Sequence, residues 1–229
     1  MTLRQLRVTY VILAVNVIVA LLMFISGVFV SSNQAYMYLK FGAQYGPFVD
    51  RGEWYRMITA MFVHGGFLHL LFNSYALFYF GLVVEAMYGT EKFACIYFAS
   101  GISSGIATHV FYHNSLSVGA SGAIFGLVGL LFAAGFRKDT PFFMRQYTGF
   151  ALLPMILFNI VYGFIPGSGI NNAAHIGGFL AGLAFGYFMK ARPAVIAWSK
   201  KSFYIWRALA VGCGIVVAIS FILLSFSAI

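Results

Sequence analysis

Gly119-Ala120-Ser121-Gly122 opens a run, residues 123–136, in which every residue is apolar or glycine. The serine stands where a water-facing loop gives way to sequence suited to hydrocarbon. Polar side chains are costly inside a bilayer, and small neighbours leave room for another molecule to approach a hydroxyl. The stretch reads as the mouth of a transmembrane helix, with Ser121 as a nucleophile placed inside a membrane protein.

The composition supports a membrane setting along the whole chain. Of 229 residues, 62% are hydrophobic and 8% charged, against about 25% charged in soluble domains. Mean hydropathy is +0.90. A soluble fold of this composition would leave too much apolar surface in water. The formal net charge of +9 raises nucleic-acid binding as a possibility. In a membrane protein it is better explained by Lys and Arg gathered on cytoplasmic loops, so no nucleic-acid partner is expected. Cys95 and Cys213 both fall in apolar runs, which argues against a disulfide framework. Arg4 and Arg7 precede an apolar stretch longer than the ~7–15 residues of a secretory core, with no small-residue cleavage site after it. That stretch is expected to be a retained span.

With ~20 apolar residues needed per crossing, seven spans are expected, at about 9–30, 66–86, 93–112, 119–136, 146–164, 172–189 and 205–226. The fold class is therefore an all-α polytopic membrane protein. His64-Gly65-Gly66 interrupts a longer apolar run, so residues 57–64 are assigned to the preceding loop, folded against the bundle. The long outer loop, 31–65, is rich in Tyr, Phe and Trp, as suits an interface. With the N-terminus cytoplasmic, eleven Lys and Arg lie inside (Arg4, Arg7, Lys92, Arg137, Lys138, Arg145, Lys190, Arg192, Lys200, Lys201, Arg207) and three outside (Lys40, Arg51, Arg56). Seven spans then put the C-terminus outside. Two parts are expected: a six-span core over residues 1–190, and a basic connection with a seventh span over 191–229.

Spans two, four and six all enter from the outside in this topology, each with its polar residues in the first turns. His69 and Asn73 share one face of span two at i, i+4. Ser121 begins span four, and His175 lies early in span six after Asn171 and Asn172. Two imidazoles, a hydroxyl and a carboxamide thus arrive at one depth. Gly178, Gly182 and Gly186 follow on the face of His175, and span four carries Gly122, Gly126 and Gly129. Small-residue stripes let helix backbones approach closely, which would bring His175 within reach of Ser121. A hydroxyl needs a base to become nucleophilic at neutral pH, and acyl transfer needs donors for its oxyanion. His69, Asn73 and the Ser121 amide are the candidates for the second role. No Asp falls in a span, and Glu85 lies at the inner end of span two, so the chemistry reads as a Ser-His dyad.

These residues resemble the rhomboid family of intramembrane serine proteases over about residues 8–190. Gly119-Ala120-Ser121-Gly122 looks like its GxSG nucleophile motif, and Ala174-His175-Ile176-Gly177-Gly178 like its histidine motif. His64, His69 and Asn73 match the spacing of its HxxxxHxxxN signature. Trp54-Tyr55-Arg56 resembles its first-loop Trp-Arg element, with Tyr55 interposed. The resemblance implies a six-helix rhomboid-like bundle plus one additional C-terminal transmembrane helix. It implies Ser121 as nucleophile, His175 as general base, and His69, Asn73 and the Ser121 amide as the oxyanion site. Gly119, Gly122, Phe125 and His64 would be supporting residues, with Phe125 stacked on the histidine and His64 structural. Glu85 and Gly89 would cap the inner end of span two. It implies single-span membrane proteins as substrates, cut near the outer edge of their helix, with span five and loop 165–171 as gate and cap. No cofactor and no metal is expected.

Other chemistries fit less well. A zinc protease wants H-E-x-x-H; His109 and His113 have the i, i+4 spacing without a nearby acid in the sequence. An aspartyl protease needs paired Asp residues within spans. Ser103 and Ser104 lie mid-helix with no imidazole beside them, which favours packing. A transporter would show paired inverted halves. A catalytically silent relative that binds transmembrane helices would normally have lost the serine or the histidine, and both are present.

Overall fold

The computed structural model describes residues 7–191 and 200–227. Arg4, Arg192 and most of the basic connection expected after residue 190 lie outside the described residues. Ten α-helices are described: α1 (Val8–Ile25), α2 (Gln34–Lys40), α3 (Gly46–Asp50), α4 (Arg56–Thr59), α5 (Phe67–Tyr88), α6 (Thr90–Phe111), α7 (Ser121–Ala134), α8 (Leu153–Gly163), α9 (Asn172–Phe188) and α10 (Lys200–Ser225). Among the described residues there is no strand, only one isolated antiparallel bridge between Gln44 and Ser117.

Helix α7 is the centre. Every residue from Gly122 to Leu131 is buried, between α5, α6 and α9. The reason is side-chain size. A Cβ on Gly178 or Gly182 would overlap the carbonyls of Gly122 and Gly126, and one on Gly122 or Gly126 would overlap Ser104 and Ser100 of α6. Glycine on both helices removes the spacer that keeps backbones apart, and dispersion contacts across the close approach replace it. Ser103 Oγ donates to the Gly177 carbonyl at 2.9 Å, so the paired serines of α6 serve packing between α6 and α9.

Four helices, α1, α5, α6 and α10, are long and apolar enough to cross a bilayer, and α7 is a shorter apolar helix. Its 14 residues span about 21 Å, short of the ~30 Å hydrocarbon core. Enclosed by its neighbours, α7 need not reach both faces. The expected span 146–164 also differs from the observed structure. Residues Phe142–Tyr147 and Gly149–Leu152 wind as 3-10 turns, and the α-helix runs only over Leu153–Gly163. Gly149 takes φ +64°, with its Cα packed on Gly135. Pro154 lacks the amide that an interior helical position would use, so it sits in the first turn of α8.

The remaining helices are fastened at their ends. Glu85 near the end of α5 accepts from the Val8 amide (3.0 Å), the Thr9 amide (3.4 Å) and Thr9 Oγ1 (2.5 Å). A carboxylate at a helix start meets unpaired N–H groups and the positive end of the helix dipole, so the expected inner cap of span two caps α1. Helix α10 runs alongside α6. At one end Lys92 lies 5.4 Å from the Trp206 ring centre, and at the other Phe221 packs on Phe62 at 5.5 Å. Arg137 bonds the Tyr187 carbonyl at the same end as Lys92 and Glu85.

The opposite end is built from loop 31–65. Arg56 is fully buried; its guanidinium donates to Glu53 (2.7 Å), the carbonyls of Leu39 (2.7 Å) and Ala43 (3.1 Å), and Ser227 Oγ (3.2 Å). It also lies 4.9 Å from the Phe48 ring centre. One buried cation thereby gathers α2, α3, α4 and the end of α10.

Candidate active site

The site forms where α5, α7 and α9 begin. Gly119 takes φ +116°, a conformation that disfavours any side chain, and a Cβ there would stand 2.7 Å from His69 Nε2 and 3.5 Å from Asn73 Nδ2. The two polar residues of α5 thus lie against the backbone just ahead of Ser121. The Gly65 amide donates to His69 Nδ1 at 3.2 Å. In a neutral imidazole that leaves the proton on Nε2, the atom beside Gly119. Asn73 Nδ2 is buried with no hydrogen-bond partner among the described residues. The arrangement presents two side-chain donors to one point.

Ser121 is the first residue of α7, and its amide is one of the unpaired N–H groups of a helix start. His175 is 5% exposed, in the first turn of α9. Its ring lies flat on Phe125, centroids 4.1 Å apart and planes 9° from parallel. Ser121 and Phe125 share a helix face at i, i+4, so His175 covers the face that carries the serine. A Cβ on Gly122 would lie 3.3 Å from the carbonyl of Ala174. The neighbours of Ser121 and His175 are therefore in contact. The two side chains are not hydrogen-bonded in this structure, and His175 Nδ1 has no partner among the described residues. Catalytic hydrogen bonds of this kind often tighten only around substrate.

His64 is 1% exposed; its Nδ1 faces the Phe62 carbonyl at 3.2 Å and its ring stands edge-on to His69 at 5.3 Å. It braces the His69 ring rather than facing Ser121.

Two positioning residues escape the motif reading. Asn171 accepts from the Ala174 amide (3.0 Å) and donates to Thr108 Oγ1 (3.0 Å) and Ser117 Oγ (3.2 Å). It caps α9 and ties it to α6 and to the segment ahead of Ser121. An Asn before an apolar run is a readable cap signal; its two other partners are not readable. Gln44, 3% exposed, exchanges backbone hydrogen bonds with Ser117 (3.0 and 2.9 Å), and its side chain donates to the Gly105 carbonyl (2.7 Å). With the Gly119 amide bonded to the Ala60 carbonyl at 2.9 Å, loop 31–65 holds the approach to the serine.

A model of the Rhomboid domain matches residues 51–192, the segment that contains His64, His69, Asn73, Ser121, Phe125, Asn171 and His175, with Gln44 just ahead of it. The chain belongs to the rhomboid family. Over 207 residues it is 37% identical to the rhomboid protease GluP of Bacillus subtilis, covering 89% of this chain and 39% of that protein. It is 39% identical over 141 residues to the putative rhomboid protease YdcA of the same organism, covering 61% of this chain and 69% of that one. With RHOMBOID-like protein 5 of Arabidopsis thaliana it shares 34% identity over 156 residues, 67% of this chain and 50% of the relative. This rhomboid thus spans half or less of the length of GluP and of the plant relative. It is an integral membrane protein of a family that includes proteases.

Proposed function

We propose that this rhomboid is an intramembrane serine endopeptidase that cuts single-span membrane proteins near the outer edge of their transmembrane segment. The observation that carries this reading is the stack of His175 on Phe125, one turn from Ser121 on a shared helix face. Ser121 Oγ attacks the scissile carbonyl while His175 takes its proton. The oxyanion that forms is met by the Ser121 amide, the His69 Nε2 proton and the Asn73 carboxamide. His175 then returns the proton to the leaving amine. Water, activated by the same imidazole, hydrolyses the acyl-enzyme and frees Ser121.

Apolar side chains of α5 (Phe67, Leu71, Phe72, Tyr75) and of α8 (Leu157, Phe158, Val161) are exposed, as entry of a substrate helix from the bilayer requires. The gathering of basic residues at the end opposite loop 31–65 supports a cytoplasmic N-terminus; seven crossings then put the C-terminus outside. Residues 1–190 act as the catalytic core and 191–229 as an added span.

The test is reconstitution in liposomes with a panel of single-span reporters, wild type beside Ser121→Ala. Cleavage by the wild type alone is expected. Cleavage retained by Ser121→Ala, or a wild type that binds reporters without cutting any, sinks the protease reading. The latter result would favour a silent helix-binding protein.

A further inference from the structure

Outside the site described above, loop 31–65 and the end of α6 bring three metal-ligating side chains together. His109 stands in the last turn of α6 and His113 in the turn just after it, their ring centres 5.1 Å apart, and the fold supplies the acid that the local sequence lacks. Asp50, the last residue of α3, places Oδ1 3.4 Å from His109 Nε2 and Oδ2 2.8 Å from His113 Nε2. One ligand atom from each residue lies within 4.8 Å of the others. The docking is rigid: the Gly46 amide donates to the His113 carbonyl at 2.9 Å, and a Cβ on Gly46 would overlap the His113 ring.

The hydrogen bonds orient the lone pairs. His113 Nδ1 faces Asn114 Oδ1 at 3.1 Å, so Nδ1 carries the proton. In the neutral ring Nε2 is then a lone pair, pointed at a carboxylate oxygen. Two acceptors at that distance need a cation between them. His109 Nδ1 has no partner among the described residues, so no hydrogen bond fixes its tautomer, and its Nε2 beside Asp50 Oδ1 becomes a ligand atom in the tautomer with the proton on Nδ1. An imidazole held through its far nitrogen, beside a second imidazole and a carboxylate, is a donor set for zinc. Zinc bonds of about 2.0–2.1 Å set ligand atoms about 3.3 Å apart in a tetrahedron, near the 3.4 Å His109–Asp50 separation, while the 2.8 Å His113–Asp50 contact would open by about half an ångström to admit the ion. Hard cations such as calcium and magnesium prefer all-oxygen sites.

We propose that Asp50, His109 and His113 form a zinc site with one or more positions left to water, separate from the serine chemistry. Its place suggests its effect. Zinc here fastens loop 31–65 to the end of α6, directly ahead of the segment 114–120 that Gln44 also holds and that leads into Ser121. The sequence carries the expectation of no metal anywhere in the chain; this site departs from that expectation and assigns zinc a structural and regulatory role.

The test uses the full chain in detergent, stripped with a chelator and titrated with zinc against a chromophoric competitor. One zinc per chain is expected for wild type and equally for Ser121→Ala, so the result stands apart from the protease reading. Asp50→Asn, His109→Ala and His113→Ala should each weaken binding by at least the ~10–100-fold typical of disturbing even an outer partner of a metal ligand. Zinc should also raise the unfolding temperature of wild type and not of these variants, a readout that shows each variant is folded. Equal zinc uptake by wild type and the three variants overturns the proposal. So does a wild type that takes up none, which would leave a proton as the cation between the rings and Asp50.

Discussion

The imidazole of His175 lies parallel to the ring of Phe125, at a centroid distance of 4.1 Å. A flat stack fixes the plane of the imidazole while leaving both nitrogens at its edge, so the base is aimed without using a hydrogen bond to aim it. Stacked aromatic pairs contribute about 0.5–1.5 kcal/mol beyond area burial. Phe125→Ala is therefore expected to lower kcat by roughly two- to tenfold with KM little changed, and Phe125→Tyr to restore it. Steady-state cleavage of a reporter span in liposomes measures both; wild-type kcat in Phe125→Ala would refute an aiming role.

Ser121→Ala and His175→Ala are expected to abolish cleavage with the fold retained. A fluorophosphonate probe should label Ser121 in wild type and fail to label Ser121→Ala. Mass spectrometry of the labelled peptide identifies the residue, and a tag found elsewhere would displace Ser121 from its role.

His69→Ala and Asn73→Ala should each slow cleavage by about 10²–10³, the usual cost of losing an oxyanion donor. Fluorophosphonate labelling should persist in both, since the nucleophile and base remain. Full activity in the double variant would remove these side chains from the mechanism.

Gly178→Ala puts a methyl group where the Gly122 carbonyl stands. Forcing extra volume into a packed contact costs about 1–3 kcal/mol, and here backbone must yield. A lower unfolding temperature in detergent is expected, together with loss of cleavage as α9 carries His175 away from α7. An unchanged melting curve would show that the close approach is dispensable.

Glu53 ties the first loop to the chain's end through Arg56, Tyr55 and Ser227. Burial alone would raise its pKa, but hydrogen bonds from those three residues and the Arg56 charge outweigh burial and hold it below its ordinary value. A carboxyl with a depressed folded pKa stabilises the fold above its unfolded value of about 4.3 and loses that contribution as pH falls through the folded value. Thermal unfolding followed from pH 7 downward should show this loss in wild type. Glu53→Gln should start lower, by about 1.5–3 kcal/mol for hydrogen bonds to a charged group, and fall less steeply with acid. Parallel acid limbs would exclude Glu53 as the titrating group.

Hydropathy and spacing alone determined the membrane setting and the positions of most helices to within a few residues, and raised the expectation that His69, Asn73, Ser121 and His175 arrive at one depth. Those properties are local: an apolar run of given length, and a polar residue near its end, carry their meaning wherever they stand in a chain. Tertiary structure alone decided what joins residues far apart in sequence. Arg56 meets Ser227, Gln44 meets Ser117, Asp50 meets His113, and Glu85 caps the helix that starts at Val8. It also decided that residues 142–152 wind as 3-10 turns rather than one continuous span, because Gly149 packs on Gly135 across the fold. No periodicity encodes such contacts; they arise when buried polar groups must find partners and glycines let backbones meet.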